Sequence, residues 1–175
     1  GERIELSGKV LANWAAKGAN LLVDELDVEP GDVVTLDLPA HWRLLAWALA
    51  GWRAGAVVRL ADPSGRLHPS EVLVTHRPGA EPPAGVRHQV AVALPGLARV
   101  WSGSTLPPGT VDAAADGHTQ PDRFDAVEVP SPQDLALDLG GDQQDPAGSR
   151  RTGSDLMRLV RGRATDLGWP DRARV

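Results

Sequence analysis

Four side chains stand where a parallel α/β sheet would gather a ligand. His41, Asp62, His76 and Arg77 each lie just behind a short apolar run. In open parallel sheets, ligands sit beyond the carboxyl ends of the strands. The strand ends expected here are Pro39-Ala40-His41, Ala61-Asp62-Pro63 and Thr75-His76-Arg77. Their polar side chains could converge on a ligand there. Strand ends always meet loops, and loops are polar, so the position makes these residues ligand-binding candidates and assigns none of them a catalytic role.

Other chemistry is poorly served. There is no Cys, which removes disulfide scaffolds, cysteine zinc sites and thiolate catalysis. The five histidines, His41, His68, His76, His88 and His118, include no pair at the i,i+4 spacing of a helical zinc site. No G-x-G-x-x-G, no Walker-type G-x-x-x-x-G-K and no G-x-S-x-G elbow occurs. Ser102 and Ser104 sit in a Gly/Ser/Thr loop and read as surface hydroxyls. Arg outnumbers Lys by 16 to 2, and both lysines, Lys9 and Lys17, fall in the first expected helix, away from any loop that could cradle a phosphate. No metal and no cofactor is expected.

The elements that must position the candidates follow from periodicity. Arg3 to Leu6 alternates like a short edge strand, and Ser7 suits the N-cap of a long helix reaching Leu26. Gly18 falls on the apolar stripe of that helix, where something should pack closely. Val33 to Leu38 reads as a buried strand, and Pro39 suits the first turn of a helix that runs to Ala54 and ends at Gly55. Ala56 to Leu60 is a second strand, completing a βαβ unit. Val72 to Thr75 and Gln89 to Leu94 are further strands, with Pro78, Pro82 and Pro83 opposing a helix between them. A short helix is expected near Val111 to Ala115, a strand at Ala126 to Val129, and another at Leu135 to Leu139 in a small separate sheet. Gly140 to Arg151 reads as a mobile loop, Thr152 or Ser154 caps a helix to about Leu167, and Ala173 to Val175 would begin one more strand. Residues 1–130 thus form one α/β subdomain, and residues 131–175 start a second.

Charge is uneven. The chain carries a net −5, divided as −9 over residues 1–148 and +4 over the arginine-rich residues 149–175. The acidic remainder would repel a phosphate backbone, so no nucleic-acid partner is expected. The most apolar run, Leu44 to Trp52, is nine residues long, against roughly 20 for a membrane span. With no signal peptide and no Cys, a cytoplasmic location without membrane contact is expected. The first residue is Gly rather than Met, which points to a tag remnant or to residues upstream. Trp42 and Trp47 are five apart, so one of them should face outward as a contact for a second copy.

The segment from Glu5 to Asp62 resembles a known family. It holds Glu5-Leu6, a long helix with Ala12, Ala19 and Leu22, then Val28-x-Pro30-Gly31-Asp32-x-Val34-x-Leu36-x-Leu38-Pro39, a helix through Leu49-Ala50, and Ala54-Gly55-Ala56-Val57. This is similar to the N-terminal subdomain of the acyl-CoA synthetase, or AMP-binding, adenylate-forming superfamily. Within it the chain is most similar to short, uncharacterised actinobacterial proteins that keep part of the fold, and the arginine bias suits a GC-rich genome of that kind. The resemblance implies a Rossmann-like three-layer α/β sandwich with a mainly parallel sheet.

The departures from that family define the functional expectation. The family's Thr-Ser-Gly-Thr-Thr-Gly-x-Pro-Lys-Gly loop for ATP phosphates has no counterpart; Ser102-Gly103-Ser104-Thr105 lacks the second Gly and the Pro-Lys. The family's C-terminal lysine domain is also missing, so no catalytic residue carries over. The resemblance then implies a truncated relative that binds a small ligand, a nucleotide or acyl group, or a protein partner, without catalysing adenylation. Two alternatives are a component of an active acyl-adenylate-forming ligase and a structural oligomerisation module.

Overall fold

A computed structural model of the chain describes residues 4–62, 67–95, 98–126, 128–139 and 149–169. Ser7 caps α1 (Gly8–Asn20) by accepting from the Val10 amide, and the chain continues through a π-helical turn, Leu21–Glu25. It then enters β1 (Val33–Asp37). His41 caps α2 (Trp42–Arg53), so the helix starts three residues beyond Pro39. Gly55 follows it at φ +79°, a left-handed turn suited to glycine. Next come β2 (Val57–Leu60), β3 (Ser70–Thr75) and β4 (Val86–Ala91), with no helix over the three prolines between β3 and β4.

The expected helix at Val111 is instead β5 (Thr110–Asp112), with the short α3 (Ala115–Thr119) just after it. The Asp112 carboxylate accepts from the Ala114 and Ala115 amides, which turns the strand sharply into that helix. β6 (Leu135–Asp138), β7 (Arg150–Thr152) and α4 (Gly153–Asp166) complete the order. Thr152 and Asp155 close a reciprocal capping box at the start of α4. Ile4 to Leu6 form no strand, and no strand forms among the described residues around Ala126. Of the loop expected over Gly140 to Arg151, residues 140–148 lie outside the described residues, while Arg150 and Arg151 belong to β7 and pair with β6; the strand expected at Ala173 to Val175 also lies outside them.

The strands form one seven-stranded sheet in the order β5-β4-β3-β1-β2-β6-β7, parallel throughout except for the β6–β7 pair. β6 therefore joins the main sheet beside β2 rather than a small separate sheet. Alternation fixes two different faces. Val34, Leu36, Val58, Val72, Val74, Val90 and Val92 meet Leu22, Leu26, Trp47 and Ala50 in one apolar core. Gly18 lets α1 and α2 touch, since a Cβ there would lie 2.8 Å from the Cβ of Ala50. The opposite face is mixed: Thr35, Thr75 and Gln89 are buried there beside Val57, Leu73 and Ala91, and Arg59 pairs with Asp138 at 3.0 Å.

Candidate functional site

After β1 the chain crosses through α2 to β2 on one side, then returns to place β3 on the other side of β1. The order reverses at the β1/β3 seam, the topological switch point where open α/β sheets bind ligands. Register sets Asp37 directly beside Thr75 at the carboxyl ends of these strands. The Thr75 hydroxyl donates to Asp37 Oδ2 at 2.7 Å. Arg77 reaches across the seam and donates from Nη2 to Asp37 Oδ1 at 2.7 Å and from Nε to Oδ2 at 3.3 Å. This is the two-pronged guanidinium–carboxylate geometry that gives direction as well as strength. The Arg77 amide in turn donates to the Thr75 hydroxyl at 3.0 Å.

Those contacts tune the charges. Burial would raise the Asp37 pKa, but the bonds from Arg77 and Thr75 and the nearby charges of Arg77 and His76 outweigh it, and the carboxyl is held below its ordinary value. Arg77 is shifted upward by the same carboxylate. The His76 Nδ1 lies 2.9 Å from the Asp37 carbonyl oxygen, which can only accept, so Nδ1 is the donor to it.

Three of the four residues that sequence position selects meet here. Asp62, His76 and Arg77 line one open cleft of about 490 Å³ with Asp37, Leu38 and Leu44. His41 does not line it. Its Nδ1 accepts from the Arg43 amide at 3.3 Å as the cap of α2, and it lines a neighbouring cleft with Ile4, Trp42 and Leu94. Asp37 is the hub of the site, yet sequence position alone does not select it. The available signal is a carboxylate ending an otherwise apolar strand, opposite a strand followed at once by His-Arg. Among the described residues, no group of three or more His, Cys, Asp or Glu is placed to hold a metal ion. No helix among them is long and apolar enough to cross a membrane.

Neither Trp42 nor Trp47 faces freely outward. Trp47 is buried, and Trp42 is half-buried against Trp14 at 5.8 Å. Exposed apolar side chains lie elsewhere. Leu45, Met157 and Val160 are exposed on α2 and α4, and they line a wide groove with Leu49, Trp52 and Leu156.

No family model matches the sequence. The chain is 37% identical over 141 residues to a "TIGR03089 family protein" of Mycobacterium tuberculosis, covering 75% of this chain and 54% of that protein. It therefore spans about half the length of that relative. Solved structures share its fold. An acyl-CoA synthetase of Brucella canis superposes with a TM-score of 0.64 at 22% identity, over 80% of this chain and 27% of that one. A fatty acyl CoA synthetase of M. tuberculosis gives 0.56 at 16%, over 79% and 28% of the two chains. The N-terminal subdomain of Klebsiella oxytoca NpsA gives 0.53 at 15%, over 86% and 35%. The architecture is that of the N-terminal subdomain of adenylate-forming enzymes.

Proposed function

We propose that this short structural relative of acyl-CoA synthetases binds a small ligand, a nucleotide or an acyl group, in the cleft beyond β1, β2 and β3, and that these 175 residues alone do not catalyse adenylation. The convergence of Asp37, Asp62, His76 and Arg77 at the switch point carries the binding half of the reading. With Asp37 fixing one edge of the guanidinium, the remaining N–H groups of Arg77 and the His76 Nε2 offer polar contacts of fixed position. The second half rests on the phosphates. ATP chemistry requires groups that neutralise charge as it develops on the phosphates. Lys17 donates to the Gln120 carbonyl and pairs with Asp122 at 2.9 Å, and Lys9 lies on α1, which does not contribute to the cleft.

The test is an assay of the pure chain with ATP–Mg and a panel of carboxylic acids. No pyrophosphate release is expected, and release would overturn the non-catalytic half. Calorimetry with AMP, ATP and CoA should give heat with at least one of them. Arg77→Ala should weaken that binding roughly tenfold or more, the worth of a hydrogen bond to a charged group. Absence of heat with all three would overturn the binding half.

A second reading, an association module, is favoured by the groove between α2 and α4. No residue of α4 is buried, and Met157, Leu159 and Val160 are each more than half exposed. On this reading a second copy of the chain covers the apolar face.

A further inference from the structure

The strand-end cleft has the position of a nucleotide site and lacks the parts that hold phosphate. Where open α/β sheets bind phosphates, a glycine-rich turn after the first strand brings backbone N–H groups and a helix N-terminus against the anion. No glycine is among the described residues that line this cleft. The turn after β1 is Leu38-Pro39-Ala40-His41, and proline has no N–H to give. The start of α2 is closed by a side chain, since the His41 ring accepts from the Arg43 amide, and His41 does not line the cleft.

Positive charge is also committed. Among the described lining residues Arg77 is the one arginine, and there is no lysine. Asp37 takes two of its nitrogens, at 2.7 and 3.3 Å. Arg43 is only 3% exposed, against the rings of Trp42 and Trp14, and does not line the cleft. Asp62 brings a second carboxylate. A phosphate entering here would meet two acids and a guanidinium whose charge one of them already offsets.

The same groups suit hydroxyls, which both donate and accept. Asp62 is engaged by a neighbour, but a carboxylate has about four acceptor positions and keeps room for hydroxyl donors. Arg77 keeps N–H groups beyond the two on Asp37. Leu38, Leu44 and Leu60 form an apolar wall for the carbon side of a sugar. In dinucleotide-binding sheets a carboxylate following the first strands bonds a ribose hydroxyl, and Asp62 follows β2 here. Resting on the ligand-binding reading above, we propose that the cleft holds its ligand by a neutral vicinal diol, the ribose of a nucleoside, which donates to Asp62 and accepts from Arg77, and that it disfavours phosphate.

The experiment is calorimetry of the whole chain with adenosine, 2′,3′-dideoxyadenosine, AMP, ATP without magnesium, and CoA, whose ribose carries a phosphate on one hydroxyl of the diol. Adenosine should bind. Dideoxyadenosine should bind roughly tenfold or more weakly, the worth of a hydrogen bond to a charged group. ATP should bind more weakly than adenosine, and the gap should narrow as salt screens the repulsion. Asp62→Asn should weaken adenosine and narrow the same gap. Should that variant not fold, the wild-type ligand series decides. Equal affinity for adenosine and dideoxyadenosine, or tighter binding of ATP or CoA than of adenosine, would overturn the diol and leave the ligand-binding reading standing. Absence of heat with all five would overturn both.

Discussion

At the scale of single residues, Asp37 is the test of the strand-end site. Its carboxylate is bonded by Arg77 and Thr75 and held below its ordinary pKa. A depressed carboxyl contributes its full stability above the unfolded value of about 3.9 and loses it as pH falls through the folded value. Asp37→Asn should therefore cost roughly 1–2 kcal/mol near pH 7, a modest figure because Arg77 is largely exposed. The gap to wild type should close as pH is lowered from about 5 to below 3. Urea unfolding across that range checks it, and a gap that stays constant would mean the ion pair does not contribute. Asp37 is hard to see in the sequence because its partners lie 38 and 40 residues further on, and only parallel register sets them side by side. Arg43 is hidden differently. A charged residue two positions past a histidine cap reads as helix surface, and only the packing of Trp14 from α1 buries it.

At the scale of elements, the contact between α1 and α2 is the joint beneath the site, since α2 supplies Leu44 to the cleft. Gly18 stands out in the sequence as a missing side chain on an apolar stripe, and Ala50 fills that space. Gly18→Val should destabilise by about 1–3 kcal/mol through overpacking, outweighing its gain in helix propensity. A Cβ added at Gly162 on α4 would meet nothing within 4 Å, so Gly162→Ala should stabilise by up to about 1 kcal/mol. Denaturant midpoints of the two variants should move in opposite directions, and a shared direction would contradict this packing. The βαβ core is legible in the sequence because its apolar runs are continuous and bounded by Pro-Gly-Asp and Gly55. β6 is recognisable as a strand, but alternation says nothing about which sheet a strand joins. Proline suits a first turn and so suggests too early a start for α2, whereas His41 provides the side-chain acceptor that caps it.

At the scale of the whole molecule, two surfaces compete to explain what the chain is for. The groove between α2 and α4 is apolar and open, and the strand-end cleft is smaller and charged. If a second copy covers the groove, sedimentation should show a concentration-dependent dimer that Val160→Asp returns to monomer. A monomer at all concentrations would remove the association reading and leave the cleft untouched. The likeness to acyl-CoA synthetases is readable from the Pro30-Gly31-Asp32 and Ala54-Gly55-Ala56-Val57 segments, and the fold agrees with it. The role of the surfaces is not readable, because periodicity reports which side chains turn inward and is silent on what meets those that turn outward. The central claim is ligand binding at the strand ends, and amide NMR during titration with AMP, ATP and CoA tests it most directly. The account predicts saturable shifts at Asp37, Asp62, His76 and Arg77 with at least one of these ligands. An unchanged spectrum with all three, or shifts confined to the α2–α4 groove, would contradict it.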